Sequence, residues 1–164
     1  MALLEWSDAL SLDLACMDDT HREFVDLLAG VGAAPDADLL RLWQQLIVHT
    51  EAHFGQEDRW MQATRFASVN CHSMQHKVVL DVMREGAVRG QAGDLPCIRA
   101  MASELGPWFL QHAQSMDAAL ALHVRRVGFD PLTGHITSPD ALPATPIQGC
   151  GGQSCSDARE ASIA

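Results

Sequence analysis

Apolar side chains recur every three or four positions from about residue 18 to residue 125, the period of helices with one buried face. Asp18-Asp19-Thr20 offers N-cap residues and acidic charge for a first helix, whose stripe is His21, Phe24, Val25, Leu28 and Val31, and Gly30 through Pro35 ends it. Asp36 or Asp38 caps a second, longer helix with the stripe Leu39, Leu42, Trp43, Leu46, Thr50, His53, Glu57 and Trp60. Thr64 to Asn70 breaks the pattern. A third helix starts near Asn70, with His72, His76, Val79, Leu80 and Met83 on one face, and Gly86, Gly90 and Gly93 are expected to end it. Asp94 and Pro96 open a fourth, with the stripe Ile98, Met101, Leu105, Trp108, His112, Met116 and Leu120. Gly106-Pro107 lies inside that stripe and predicts a kink or a break, because proline lacks the amide hydrogen and clashes one turn back.

Met1 to Asp13, with Trp6, reads as an ordered arm. After about Gly128 periodicity stops, and Pro131, Pro139, Pro143 and Pro146 appear among Gly, Ser and Thr. The expected fold is all-α: an antiparallel up-down-up-down four-helix bundle over residues 1–128, with an N-terminal arm and a flexible C-terminal tail, 129–164, disordered or loosely draped.

Composition narrows the function. Hydrophobic residues make up 48% of the 164, while aromatic residues are only 5% and tyrosine is absent, which argues against a sheet protein. The formal charge of −10 argues against nucleic acid and anionic membrane as partners. The sequence has no apolar run long enough to span a bilayer, and Met1 to Leu14 carries acids and no base, unlike a secretory signal; a cytoplasmic location is expected. Five cysteines at irregular spacing do not form a disulfide framework, so reduced thiols are expected.

The chemistry lies in five histidines and two acids on buried stripes. His53 and Glu57 stand four apart, as do His72 and His76; His21 precedes them, and His112 and Asp117 follow. Residues four apart lie on one helical face. Bundle cores exclude such groups unless they are paired or coordinated. Seven candidate ligands exceed the four of a closed zinc site and suit two ions such as iron with bridging carboxylates. His112 and Asp117 are five apart, about 140° around a regular helix. A local π-turn would bring them to one point.

These residues resemble the hemerythrins, most closely the single-domain bacterial kind. The resemblance covers about Trp6 to Arg125 and rests on Asp-x-x-His at Asp18–His21, His-Phe-x-x-Glu at His53–Glu57, His-x-x-x-His at His72–His76, and Trp-x-x-x-His-x-x-x-x-Asp at Trp108–Asp117. It implies a non-haem di-iron centre, oxo- or hydroxo-bridged, that binds O2 reversibly. One iron would take His72, His76 and His112, the other His21 and His53, and Glu57 and Asp117 would bridge them. O2 would bind at the open position of the two-histidine iron. Trp108, Phe54, Leu28, Leu105, Leu46 and Met116 are placed to wall the pocket. The chain departs from the family pattern at Thr20, at Phe66-Ala67, at Ala113 and at Ala118, none of them a ligand; the small Ala113 leaves more room beside His112.

The reading is an O2-binding protein for storage, delivery or sensing, monomeric or a small homo-oligomer. Its alternative is an enzyme reducing peroxide or nitric oxide at the same site. His49, one turn before His53, reads as a partly exposed helix histidine rather than an outer partner of the site. His123 suits a helix C-terminus, and His135 is expected to be solvated. Cys150 and Cys155 on a glycine hinge can pair, bind metal or attach a protein partner; incidental cysteines in a disordered tail are the plainer reading.

Overall fold

The computed structural model describes residues 3–66 and 71–147. The described residues form helices with no strand beyond a single isolated bridge. Helix α1 spans Ala15–Ala33, α2 Asp36–Ala63, α3 Cys71–Gln91 and α4 Leu95–His112. A π-helical turn, Ala113–Asp117, carries α4 into α5, Ala118–Val127, so these three form the fourth rod of the bundle. Helix α1 packs on α2 and α4, and α3 packs on α2 and α4.

Three of the four rods, α1, α2 and the fourth, share one vertical order. Phe24, Leu28, Trp43, Leu46, Met83, Leu105 and Phe109 meet in an upper apolar cluster. Met17, Trp60, Met61, Leu120 and Val124 meet in a lower one. His21 falls between the two clusters on α1, His53 and Glu57 on α2, and His112 and Asp117 on the fourth rod, while on α3 His72 and His76 precede upper-cluster Met83. The polar groups thus form a layer within the apolar core.

Several expectations need correction. Helix α1 starts at Ala15, with Leu14 as its N-cap and no capping side chain. Asp18 instead ties down the arm: it is buried, and its carboxylate accepts from Ser11 Oγ at 2.8 Å and the Leu12 amide at 2.7 Å. Helix α2 has Pro35 at its N-cap; Asp36 and Asp38 only supply first-turn charge. Gly86 and Gly90 do not end α3. They sit inside it, where a Cβ would strike Met101 or Ile98, so their lack of side chain lets α4 approach. Asp94 caps α4 as expected, accepting from the Cys97 amide at 3.2 Å.

Helix α4 runs unbroken through Pro107. What Gly106 provides is access: a Cβ there would run into the carbonyl oxygen of Leu3, so the arm packs directly on the helix backbone. Trp6 in the same arm lies under the Arg22 guanidinium, 4.4 Å from the ring centroid.

The first part of the tail is not loose. Gly128, with φ of +61°, ends α5 in the left-handed conformation that suits glycine. Phe129 bridges Ile136, and the Ser138 amide donates to the Val127 carbonyl at 3.1 Å. Phe129, Ile136, Leu142 and Ile147 cover the lower cluster, and the Ile147 amide donates to Arg65 O. Cys150 and Cys155 lie outside the described residues. The expectation of reduced thiols holds at Cys16 and Cys97, which are free, but not at Cys71, which is disulfide-bonded. No helix among the described residues is long and apolar enough to cross a membrane.

Candidate metal centre

Five imidazoles and two carboxylates, all buried, converge on the polar layer. Their ligand atoms form two overlapping groups, Glu57 with His72, His76, His112 and Asp117, and Glu57 with His21 and His53, each within 4.8 Å. Glu57 straddles the groups. Its Oε1 lies 3.0 Å from His53 Nε2 and 3.8 Å from His21 Nε2, and its Oε2 lies 3.2 Å from His76 Nε2 and 3.5 Å from His72 Nε2. Asp117 does the same, with Oδ2 at 3.4 Å from His21 Nε2, and Oδ1 at 3.0 Å from His72 Nε2 and 3.1 Å from His112 Nε2. The π-turn supplies the last of these contacts, because the widened turn brings Asp117 under His112 despite the five-residue step.

Electrostatics tie the layer together. Burial alone would lower the His21 and His72 imidazoles, but the Asp117 and Glu57 carboxylates beside them outweigh it and raise each to about 9. Burial would raise the Glu57 carboxyl, yet the charge and hydrogen bond of His53, with the His21 and His72 imidazoles close by, hold it well below its ordinary range. Asp117 is likewise held down, against burial and the neighbouring Glu57, chiefly by His112.

Hydrogen bonds leave eight buried atoms without a partner: both nitrogens of His21 and of His72, His53 Nδ1, Glu57 Oε2, and both oxygens of Asp117. Native cores rarely tolerate so many in one place. Five of the eight, His21 Nε2, His72 Nε2, Glu57 Oε2 and the two Asp117 oxygens, face the shared interior. Nitrogen and carboxylate donors aimed inward fit a pair of borderline divalent ions.

Aromatic rings wall the layer. Phe54 stacks on His76, centroids 4.0 Å apart and planes 6° from parallel, and Trp108 stacks on His112 at 4.7 Å. Leu28 and Leu105 lie in the upper cluster, as does Leu46. Leu105 and Trp108 also line an apolar cleft of about 480 Å³ between α3 and α4. Met116 and Trp108 border a smaller pocket of about 170 Å³, with Gln75, Gln111 and Ser115, that reaches His112. Ala113 is fully buried in the upper cluster, so its small side chain opens no cavity to solvent.

Sequence reasoning missed Phe109, whose ring meets His21 edge-on at 5.1 Å and stacks on Phe24 at 4.1 Å. It sits three residues before His112, a spacing that could have placed it on the wall. It also missed Asp58 and Gln75, which bond His76 Nδ1 and His112 Nδ1 at 3.2 Å each. Both are off the apolar stripes, so periodicity gave no signal. Burial would push the Asp58 carboxyl up, but the bond with His76 holds it below its ordinary value. His49 stays outside the layer, with Nε2 donating to the Thr20 carbonyl at 3.2 Å and Nδ1 3.7 Å from Glu23. His123 lies in the second half of α5, near the helix end as expected, and is buried, with its Nε2 donating to the Thr64 carbonyl at 2.9 Å. His135 is exposed, as expected.

Comparison with known proteins finds the hemerythrin HHE cation-binding domain over residues 13–121. A bacteriohemerythrin of Ralstonia nicotianae is 37% identical over 130 residues, covering 79% of this chain and 95% of that protein. Bacteriohemerythrins of Stenotrophomonas maltophilia and Pseudomonas aeruginosa are 26% and 25% identical, each over 76% of this chain and 84% of theirs. No solved structure gives a significant match.

Proposed function

This chain belongs to the hemerythrin family, and from that premise we propose that it binds O2 reversibly at two iron ions held by His21, His53, Glu57, His72, His76, His112 and Asp117. The observation that carries the reading is the straddle: each carboxylate turns one oxygen to the His21 side and the other to the His72 side. Held this way, one ion would have three imidazoles and two carboxylate oxygens, five protein ligands. The other would have His21, His53 and two carboxylate oxygens, one fewer. The unequal count leaves a coordination position on the two-histidine side. Iron bound there supplies the electrons that reversible O2 binding requires.

The residues around that side keep water out. Phe109 and Phe24 close it from the upper core, the Phe109 ring meeting His21 edge-on and stacking on Phe24. A dry wall disfavours the proton delivery that would drive O2 on to further reduction. His49, one turn before His53, is turned to a backbone carbonyl and to Glu23. Burial lowers its imidazole below the ordinary value.

A second reading, an enzyme reducing peroxide or nitric oxide, has one observation in its favour. The 170 Å³ pocket lined by Gln75, Gln111 and Ser115 opens a polar route to His112. That route reaches the histidine set with the fuller ligand count, which is why the carrier reading is preferred. We place the chain in the cytoplasm, where a disulfide at Cys71 would be transient rather than a permanent staple.

The test is to load the chain anaerobically with ferrous iron and admit O2. A visible charge-transfer band that appears with O2 and vanishes on its removal supports the carrier. Irreversible bleaching with steady consumption of added peroxide supports the enzyme. Fewer than two irons per chain would reject both.

A further inference from the structure

We propose that Asp58 is a positioning residue that makes the three-histidine position the tighter of the two metal sites; the inference rests on the two-metal reading above. Asp58 follows Glu57 directly, so it points about 100° away from it around α2. There it meets α3. Its Oδ1 accepts from Ser73 Oγ at 3.0 Å and lies 3.2 Å from His76 Nδ1. An imidazole that gives Nε2 to a metal carries its proton on Nδ1, so His76 donates and Asp58 accepts. Such a bond fixes the tautomer and the ring plane and makes the ligating nitrogen more basic. Phe54, stacked flat on the same ring at 4.0 Å, removes the remaining freedom to tilt.

The two histidine groups are not supported equally. In the larger group, His76 has a carboxylate behind it and His112 has the Gln75 amide oxygen at 3.2 Å, so two of its three ring Nδ1 atoms are supported and only that of His72 has no partner. In the smaller, the Nδ1 atoms of His21 and His53 are buried with no hydrogen-bond partner. An orphaned ring nitrogen neither orients its ring nor strengthens its donor. The outer contacts therefore widen the difference that ligand count already creates. The plainer account makes Asp58 only a tie between α2 and α3. The two accounts diverge: a tie acts on the whole bundle, whereas a positioning residue acts on one ion.

Cobalt(II), added stepwise to the metal-free chain and followed by its visible bands, separates them. Wild type should fill a tight and a weaker position, two ions in all. Asp58→Asn keeps the size and an acceptor oxygen but removes the charge. It should raise the dissociation constant of the tight step by about 10-fold or more, the range for loss of an outer partner, and leave the weaker step within about 3-fold. Asp58→Glu should recover part of the loss, and Ser73→Ala, which unpins Asp58 without removing it, should weaken the tight step by less. Equal changes in both steps, or no change in either, would overturn the inference while leaving the two-metal reading intact. Uptake of fewer than two ions by wild type would instead overturn that reading, and the inference with it. If Asp58→Asn does not fold, Ser73→Ala decides, and a tight step equal to wild type overturns the inference.

Discussion

Stripping metal from the centre should cost this bundle much of its stability, and the structure sets the size. Five of the orphaned buried atoms face the shared interior. Each such atom costs about 1–3 kcal/mol when left unpaired. In the metal-free chain the cost is softened, because His21 and His72, raised to about 9, are cationic at neutral pH and lie beside Asp117 and Glu57. Taking the low figure for all five gives about 5 kcal/mol regained on loading. At about 2–4 °C per kcal/mol for a chain of this size, the midpoint of thermal unfolding should rise by about 10–20 °C. The gain should also grow with free metal concentration, since binding to the folded state alone stabilises as RT ln(1 + [L]/Kd). Calorimetry on chelator-treated and ferrous-loaded protein, kept anaerobic, measures both. A rise below about 2 °C with two ions bound per chain would refute the reasoning, because the orphaned groups would then have found other partners.

Three further outcomes are expected. In the metal-free chain, His21 and His72 titrate near 9 instead of 6.5, so their pairs with Asp117 and Glu57 stabilise fully below about pH 6.5 and are lost as pH rises through about 9. Metal uptake at pH 7.5 should therefore release about two protons per chain, read with an indicator dye in weak buffer; no release would contradict those pairings. Gly106→Ala should gain up to about 1 kcal/mol of helix propensity but lose about 1–3 kcal/mol by pushing Leu3 away. The net result should be a lower midpoint in urea and faster proteolysis of the arm, whereas a more stable variant would show that the arm does not dock there. His49→Ala should leave metal stoichiometry unchanged, measured by metal analysis, since its contacts are Thr20 and Glu23.

The helices and six of the seven buried polar groups were legible because both follow one period. A ligand on a buried face appears as a polar residue interrupting an apolar stripe, and His21, His53, Glu57, His72, His76 and His112 all do so. Asp117 was legible only through the family motif and the allowance for a π-turn. What the stripe does not encode is what stands behind a ligand. Asp58 and Gln75 look like ordinary surface residues, and only the packing of α2, α3 and α4 gives them a role. Glycines misled for a related reason. Gly86, Gly90 and Gly106 suggest helix ends by propensity, but each removes a side chain where another segment approaches, a tertiary fact invisible along the chain. The start of the tail was misjudged because Phe129, Ile136, Leu142 and Ile147 are too widely spaced to show a period, yet they suffice to cover the lower core.

The widened turn at Ala113–Asp117 makes winding, rather than identity, the guarded property of that stretch. Winding the same five residues as ordinary helix would swing everything after them by about 100°. Asp117 would leave the cage, and Leu120 and Val124 would turn out of the lower cluster together. A segment so built can drift freely in lettering at its exposed Gln114 and Ser115.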